Sequence, residues 1–255
     1  MRILLLVLFT VLATTGCVSQ RTVDGKQQPA QQFNAEEASR TRLALGLQYL
    51  RSGNFEQAKA NLERAREYTP DNADVYTGLA YYYQQVRDFK SAEAHYRKAI
   101  DLKPKDGDNY NNLGVLLCGQ QRYNDADQMF RKAVAQPGYV KVASTYENAA
   151  RCAAEQGDMA NADRYYELAL NHSGGGVTIL ENYATLLMQQ KRYDKAATMI
   201  ERRSNYPQLS AQYLWLEVQL AHVQNQKNKR QQFGDLLVQR FPASQQATDY
   251  LKLIK

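Results

Sequence analysis

The sequence predicts an all-α solenoid of five to six helix–turn–helix repeats closed by a C-terminal capping helix. Three observations predict it. First, small residues recur at one spacing: Ala58, Ala92 and Ala126 lie 34 apart, Ala162 follows after 36 and Ala196 after another 34. Two parallel series keep the same steps, Gly46, Ala80, Gly114, Ala150, Ala184 and Ala65, Ala99, Ala133, Ala169. Second, an aromatic stands three residues before the first series at Phe55, Phe89, Tyr123 and Tyr193, with Met159 in the fourth copy. Third, Pro70 and Pro104 close the first two units, and Pro137 and Pro207 fall one residue early in later ones. A fixed period of this size marks stacked units that bury a face only against each other. Small residues let two antiparallel helices approach closely, and Pro ends the second helix because it cannot donate the next hydrogen bond.

The pattern resembles the tetratricopeptide repeat, with a small residue at the eighth, twentieth and twenty-seventh positions of each unit. The match runs from residue 39 to about 242 and implies a right-handed superhelix. Units start near 39, 73, 107, 143, 177 and 211. Large residues at the seventh position, Leu45, Leu79, Leu113 and Tyr183, are expected between units. The first five units are clear. In the sixth, Arg230 and Gly234 replace the small and bulky residues, so its second helix is expected to be atypical, as terminal repeats often are. Residues 243–255 are expected to form the amphipathic cap. Two extra residues in A-Q-P-G-Y-V-K-V-A, 135–143, are expected to lengthen one loop.

Ahead of the repeats, Arg2 precedes an apolar run from Ile3 that is too short to span a bilayer, which takes about 20 residues. A charged start, a short apolar core and small residues make a secretion signal at 1–16. Cys17 directly after Gly16 resembles the bacterial lipoprotein signal, in which the thiol is acylated, although Thr14 stands where that signal usually has Leu. Two or more acyl chains anchor stably where one does not. By the same resemblance, Val18 in place of Asp points to the outer membrane, with the body in the periplasm. Residues 17–37 are polar and Gln-rich and read as a flexible tether.

The formal net charge is +6 and no block of five like charges occurs, so no nucleic-acid partner is expected. His95, His172 and His222 are isolated, without neighbours at metal-ligand spacing. Gly174–Gly176 follows helical sequence and lacks the strand and Lys of a phosphate loop, so it reads as a turn between units. No enzyme activity, metal, cofactor or small-molecule substrate is expected.

Binding remains. Repeats of this kind line a concave groove from the second, fifth, ninth, twelfth and thirteenth positions of the first helix. That places Leu43, Leu47 and Leu50 of the first unit there, with Tyr81 and Asn111 from the next two. Leucines on a wet face mark an interaction site, or a surface that the tether covers through Phe33. The Lys and Asn pattern of a carboxylate-gripping clamp is absent, because Leu43 and Leu47 occupy its places.

Unit three carries N-N-x-G-x-x-L-C-x-Q-x-R-Y at 111–123, and P-x-Y follows at 137–139. With the lipoprotein start, the chain resembles the PilF/PilW family of pilus-biogenesis lipoproteins. The resemblance implies a pilotin, which binds a type IV pilus secretin subunit and helps it reach the outer membrane and form its ring. The competing class is a periplasmic scaffold for cell-wall synthesis machinery. With Cys17 acylated, Cys118 and Cys152 remain, an even number in an oxidising compartment. A bridge between neighbouring first helices is favoured over two buried free thiols.

Overall fold

The computed structural model describes residues 22–23, 26–27, 33–174 and 176–254. Cys17 and the signal lie outside the described residues. Thr22–Val23 and Lys26–Gln27 pair as a short antiparallel ladder with Thr22 opposite Gln27. After residue 34 every described secondary-structure element is a helix. Thirteen helices follow in antiparallel pairs among the described residues: α1 (Ala35–Arg51) with α2 (Phe55–Tyr68), α3 (Ala73–Gln85) with α4 (Phe89–Leu102), α5 (Gly107–Gly119) with α6 (Tyr123–Val134), α7 (Val142–Gln156) with α8 (Met159–His172), α9 (Val177–Gln189) with α10 (Tyr193–Ser204), α11 (Ala211–Val223) with α12 (Lys227–Arg240), and α13 (Gln245–Leu253) as the cap. None is long and apolar enough to cross a membrane.

Eight of the thirteen described helices start where a side chain satisfies a free backbone N–H group. Asn54, Asn72, Asp88, Asp106, Asp158, Ser210 and Ser244 each accept such a bond. Asn34 does the same for Glu37 N, with Glu36 and Glu37 favourably placed in the positive first turn. That cap starts α1 four residues before the repeat boundary at 39, inside the stretch expected to be tether.

The turn inside each pair is one structure repeated six times. The residue at the fifteenth position is left-handed in every unit: Gly53, Arg87, Gln121, Gly157, Lys191 and Asn225, with φ between 56° and 89°. The next residue donates back across the turn, as from Asn54 N to Tyr49 O at 2.9 Å and from Arg192 N to Leu187 O at 2.9 Å. This closes the orphan carbonyls of the first helix. Only two of the six positions are glycine, so the register of the turn overrides local preference at the other four.

All three small-residue series are buried. Leu79, Leu113 and Tyr183 are fully buried between units, whereas Leu45, in the first unit, is half-buried. The face opposite is filled from the twenty-fourth position, most clearly where Tyr166 stacks on Tyr183 at 4.3 Å between ring centres. The sixth unit departs from expectation: α12 is a regular helix of ordinary length. Gly234 stands where a bulky residue belongs because Tyr250 of α13 fills that space. A Cβ on Gly234 would lie 1.9 Å from the Tyr250 ring. The cap thus replaces with one side chain what a seventh unit would supply.

Candidate functional site

First helices of successive units lie side by side, α1 by α3, α5 by α7 and α9 by α11. Their repeated exposed positions form the face on which the predicted residues fall. Leu43, Leu47, Tyr81 and Asn111 come together in one cavity of about 460 Å³ spanning the first three units. Leu43 and Leu47 are half-buried and Tyr81 is 40% exposed. Gly78 leaves room for them: a Cβ there would stand 2.8 Å from Leu43 Cδ1.

Leu50 is not part of this cavity. It is 6% exposed and belongs to the core cluster that holds Leu79 and Tyr82 of α3. The last turn of α1 is covered by the next unit while its middle turns stay open. Nor does Phe33 cover the leucines. Its ring meets Tyr68 edge-on at 5.3 Å, on a different hollow of the first unit.

The polar wall of the cavity joins Asp74, Thr77, Asp108 and Asn111, at the second and fifth positions of their units, to Asp106, Asn109 and Lys141, which repeat spacing did not single out. Thr77 Oγ1 donates to Asn109 Oδ1 at 2.6 Å, and Asn148 Nδ2 donates to Asn111 Oδ1 at 3.0 Å. Asp74 is paired with Lys103 at 2.8 Å and Asp108 with Lys141 at 2.7 Å. Asp106 also lines the cavity and caps α5. The lengthened loop after α6 supplies Lys141 and is pinned by Tyr139. The Tyr139 hydroxyl donates to Asp108 Oδ1 at 3.3 Å and bonds Thr145 Oγ1 at 2.8 Å. Its ring lies over Gly107, where a Cβ would be 2.5 Å away. Burial, then the neighbouring Asp108 and Asp106, push its phenol up to about 12 against the pull of Thr145. The loop therefore ends as a wall of the cavity, with Val140 held outward, 90% exposed, at its tip. The P-G-Y segment was legible in the sequence, but its partner Gly107, 32 residues away, was not.

Cys118 and Cys152 are joined by a disulfide, with Cα atoms 5.8 Å apart. It ties α5 to α7 across the lengthened loop. Of the histidines, His95 Nδ1 bonds Ser91 O at 2.8 Å beside Tyr83, His172 packs on Tyr146, and His222 meets Arg230. No group of three potential metal ligands occurs among the described residues. The cavity offers apolar contact, amide hydrogen bonds and carboxylates, which suits holding a polypeptide segment.

The chain is thus an all-α solenoid of tetratricopeptide repeats. That family matches residues 43–107, 95–128 and 143–171. Among particular proteins, it is similar to the type IV pilus assembly protein PilF of Pseudomonas aeruginosa. The two are 39% identical over 80 residues, which is 31% of this chain and 30% of PilF. An uncharacterized protein of Haemophilus influenzae is 37% identical over 195 residues, 76% of this chain and 64% of that one. The chain therefore matches less than two thirds of the length of either sequence relative. The solved structure of Pseudomonas aeruginosa PilF superposes with a TM-score of 0.65 at 28% identity, covering 86% of this chain and 99% of that one. PilW, described as a widely conserved type IV pilus biogenesis factor, gives 0.68 at 25% identity, covering 87% and 100%.

Proposed function

We propose that this protein acts in type IV pilus biogenesis as a pilotin, a lipid-anchored outer-membrane protein whose groove holds a subunit of the pilus secretin. Similarity to PilF and PilW along nearly the whole repeat array supports the pilus role. The observation that carries the binding role is the cavity of the first three units, where Leu43, Leu47 and Tyr81 present apolar surface beside Asn111. Exposed apolar patches of this kind mark protein contacts. The role is non-enzymatic. Lipid on Cys17 supplies the address, and the groove carries the secretin subunit to the same membrane and promotes its multimerisation.

The anchor is tested by replacing Cys17 with Ser and fractionating the cells. The variant is expected in the soluble periplasmic fraction, with secretin multimers depleted from the outer membrane. Undiminished sedimentation of the variant with the outer membrane overturns lipid anchoring. Normal outer-membrane secretin multimers in a strain lacking the protein altogether overturn the pilotin role.

A further inference from the structure

The far end of the same face holds a second cavity, of about 460 Å³, between α9, α11 and the cap helix α13. It shares no lining residue with the first, which is built from units one to three and Lys141. Its size lies in the range of sites that take small ligands or peptide side chains. The lining is unusual in composition. Five amides face it, Gln189, Gln212, Gln219, Gln245 and Gln246. Two are already ordered in a chain: Gln246 Nε2 donates to Gln212 Oε1 at 3.1 Å, and Gln212 Nε2 donates to Thr185 Oγ1 at 2.8 Å. Thr185 in turn donates to Glu181 O at 2.7 Å. Gln245 Nε2 is used on Asp249 Oδ1 at 2.9 Å.

The apolar part of the lining centres on Trp215, the only tryptophan of the chain, with Met188, Val223 and Leu253 around it. Val223 is 38% exposed. Among the described residues no Lys or Arg lines the cavity, and its ionisable residues are Tyr193, His222 and Asp249, the last also 3.7 Å from Lys252. A lining without Lys or Arg offers an anionic ligand no direct ion pair, and Arg230 stands behind His222 at 3.1 Å.

We infer that this is a second peptide-binding site, which takes an uncharged extended segment and seats one aliphatic side chain against Trp215. A side-chain amide carries both a donor and an acceptor and so complements both halves of a peptide group. Trp215 is half-buried, and an aromatic side chain ringed by polar groups is the arrangement that concentrates binding energy at protein contacts once a partner covers it. A sugar would also use an aromatic platform and amides. Here the aliphatic Met188, Val223 and Leu253 beside the indole favour a hydrocarbon side chain. The cap helix forms the third wall, so α13 both closes the solenoid and completes the site. The inference is independent of what the first cavity binds.

Trp215 makes the site directly observable. A phage-displayed library of random 12-residue peptides is selected on the full-length protein and depleted on the Gln212→Ala/Gln246→Ala variant. Synthetic copies of the enriched peptides are then titrated while Trp215 emission is followed. The expected result is enrichment of peptides without net charge that carry an aliphatic residue, with a saturable shift of the emission maximum. Affinity falls at least tenfold in the double variant and is unchanged in Leu43→Glu. If the double variant melts early, Gln219→Ala replaces it, with a loss of at least threefold expected. Three results overturn the inference: no enrichment beyond that on the variant, enrichment of charged peptides, or an emission shift produced by a hexamer of N-acetylglucosamine instead of by the peptides.

Discussion

Arg203 occupies the twenty-seventh position of the fifth unit, where the first four units have alanine, and it is 1% exposed. Its guanidinium turns toward the loop ahead of α11. Nε donates to Glu181 Oε1 at 2.6 Å, and the terminal nitrogens donate to Tyr206 O at 3.2 Å and Gln208 O at 2.6 Å. Ser210 also donates to Glu181, at 2.8 Å. Removing one member of a buried ion pair strands the other, so Arg203→Met should cost about 3–5 kcal/mol, and adding Glu181→Leu should recover most of that. Urea unfolding followed by Trp215 emission reads this locally, because Trp215 lies in the next helix. Asp163 offers a pH test. Burial alone raises its pKa, but bonds from Arg192, Lys195 and Tyr183 outweigh burial and hold it at about 2. The donors are Arg192 Nη2 at 2.6 Å and Tyr183 Oη at 2.6 Å. A folded-state value below the unfolded one, about 3.9, means the carboxylate stabilises the fold above about pH 4. That stabilisation is lost as pH falls from about 4 to about 2. Asp163→Asn should therefore lose about 1.5–3 kcal/mol at pH 7. Thermal melts of both proteins across this range should converge near pH 2.

At the scale of the element, the turns and the disulfide do different jobs. The left-handed turn residue is shape-determined, so Lys191, at φ 58°, carries a conformational cost that glycine lacks. Lys191→Gly should be neutral or stabilising by up to about 1 kcal/mol, since glycine's extra unfolded-state entropy offsets part of the relief. Gly157→Val, at φ 89°, should destabilise by about 1–3 kcal/mol. Thermal melts of the two variants check the opposite signs. The Cys118–Cys152 bridge spans 34 residues and ties α5 to α7. On the chain-entropy account a closure of this length contributes about 3–5 kcal/mol. Because each unit touches only its neighbours, the loss on reduction should centre on the middle of the array. Hydrogen exchange with and without dithiothreitol should show faster exchange in α5–α8 and little change in α1, α2 and α12. Uniform acceleration along the chain contradicts a local tie.

For the molecule as a whole, what repeats was legible and what interrupts the repeat was not. Position within the unit placed the buried alanines and the helix pairs, and four of the five residues it named for the groove line one cavity. It failed at Leu50, because the cover over the last turn of α1 comes from α3, which a single-helix pattern does not register. It also missed Arg203, although the break in the alanine series at that position was a visible signal whose partner, Glu181, was not. Tyr139 over Gly107 and Tyr250 over Gly234 escaped for the same reason: each is a tertiary contact that substitutes for a missing repeat feature. The groove arises only when three units stack, so its lining is a property of the array. The central claim is that this groove holds the secretin subunit, and pull-down from solubilised membranes tests it most directly. The lipidated protein is compared with its Leu43→Glu/Leu47→Glu variant, and with Tyr81→Glu/Asn111→Ala should the first variant unfold. The account predicts that the secretin co-purifies with the unaltered protein and is lost, at least tenfold, from a variant whose circular dichroism and melting are near normal. A folded variant that captures the secretin undiminished, or an unaltered protein that captures none, contradicts it.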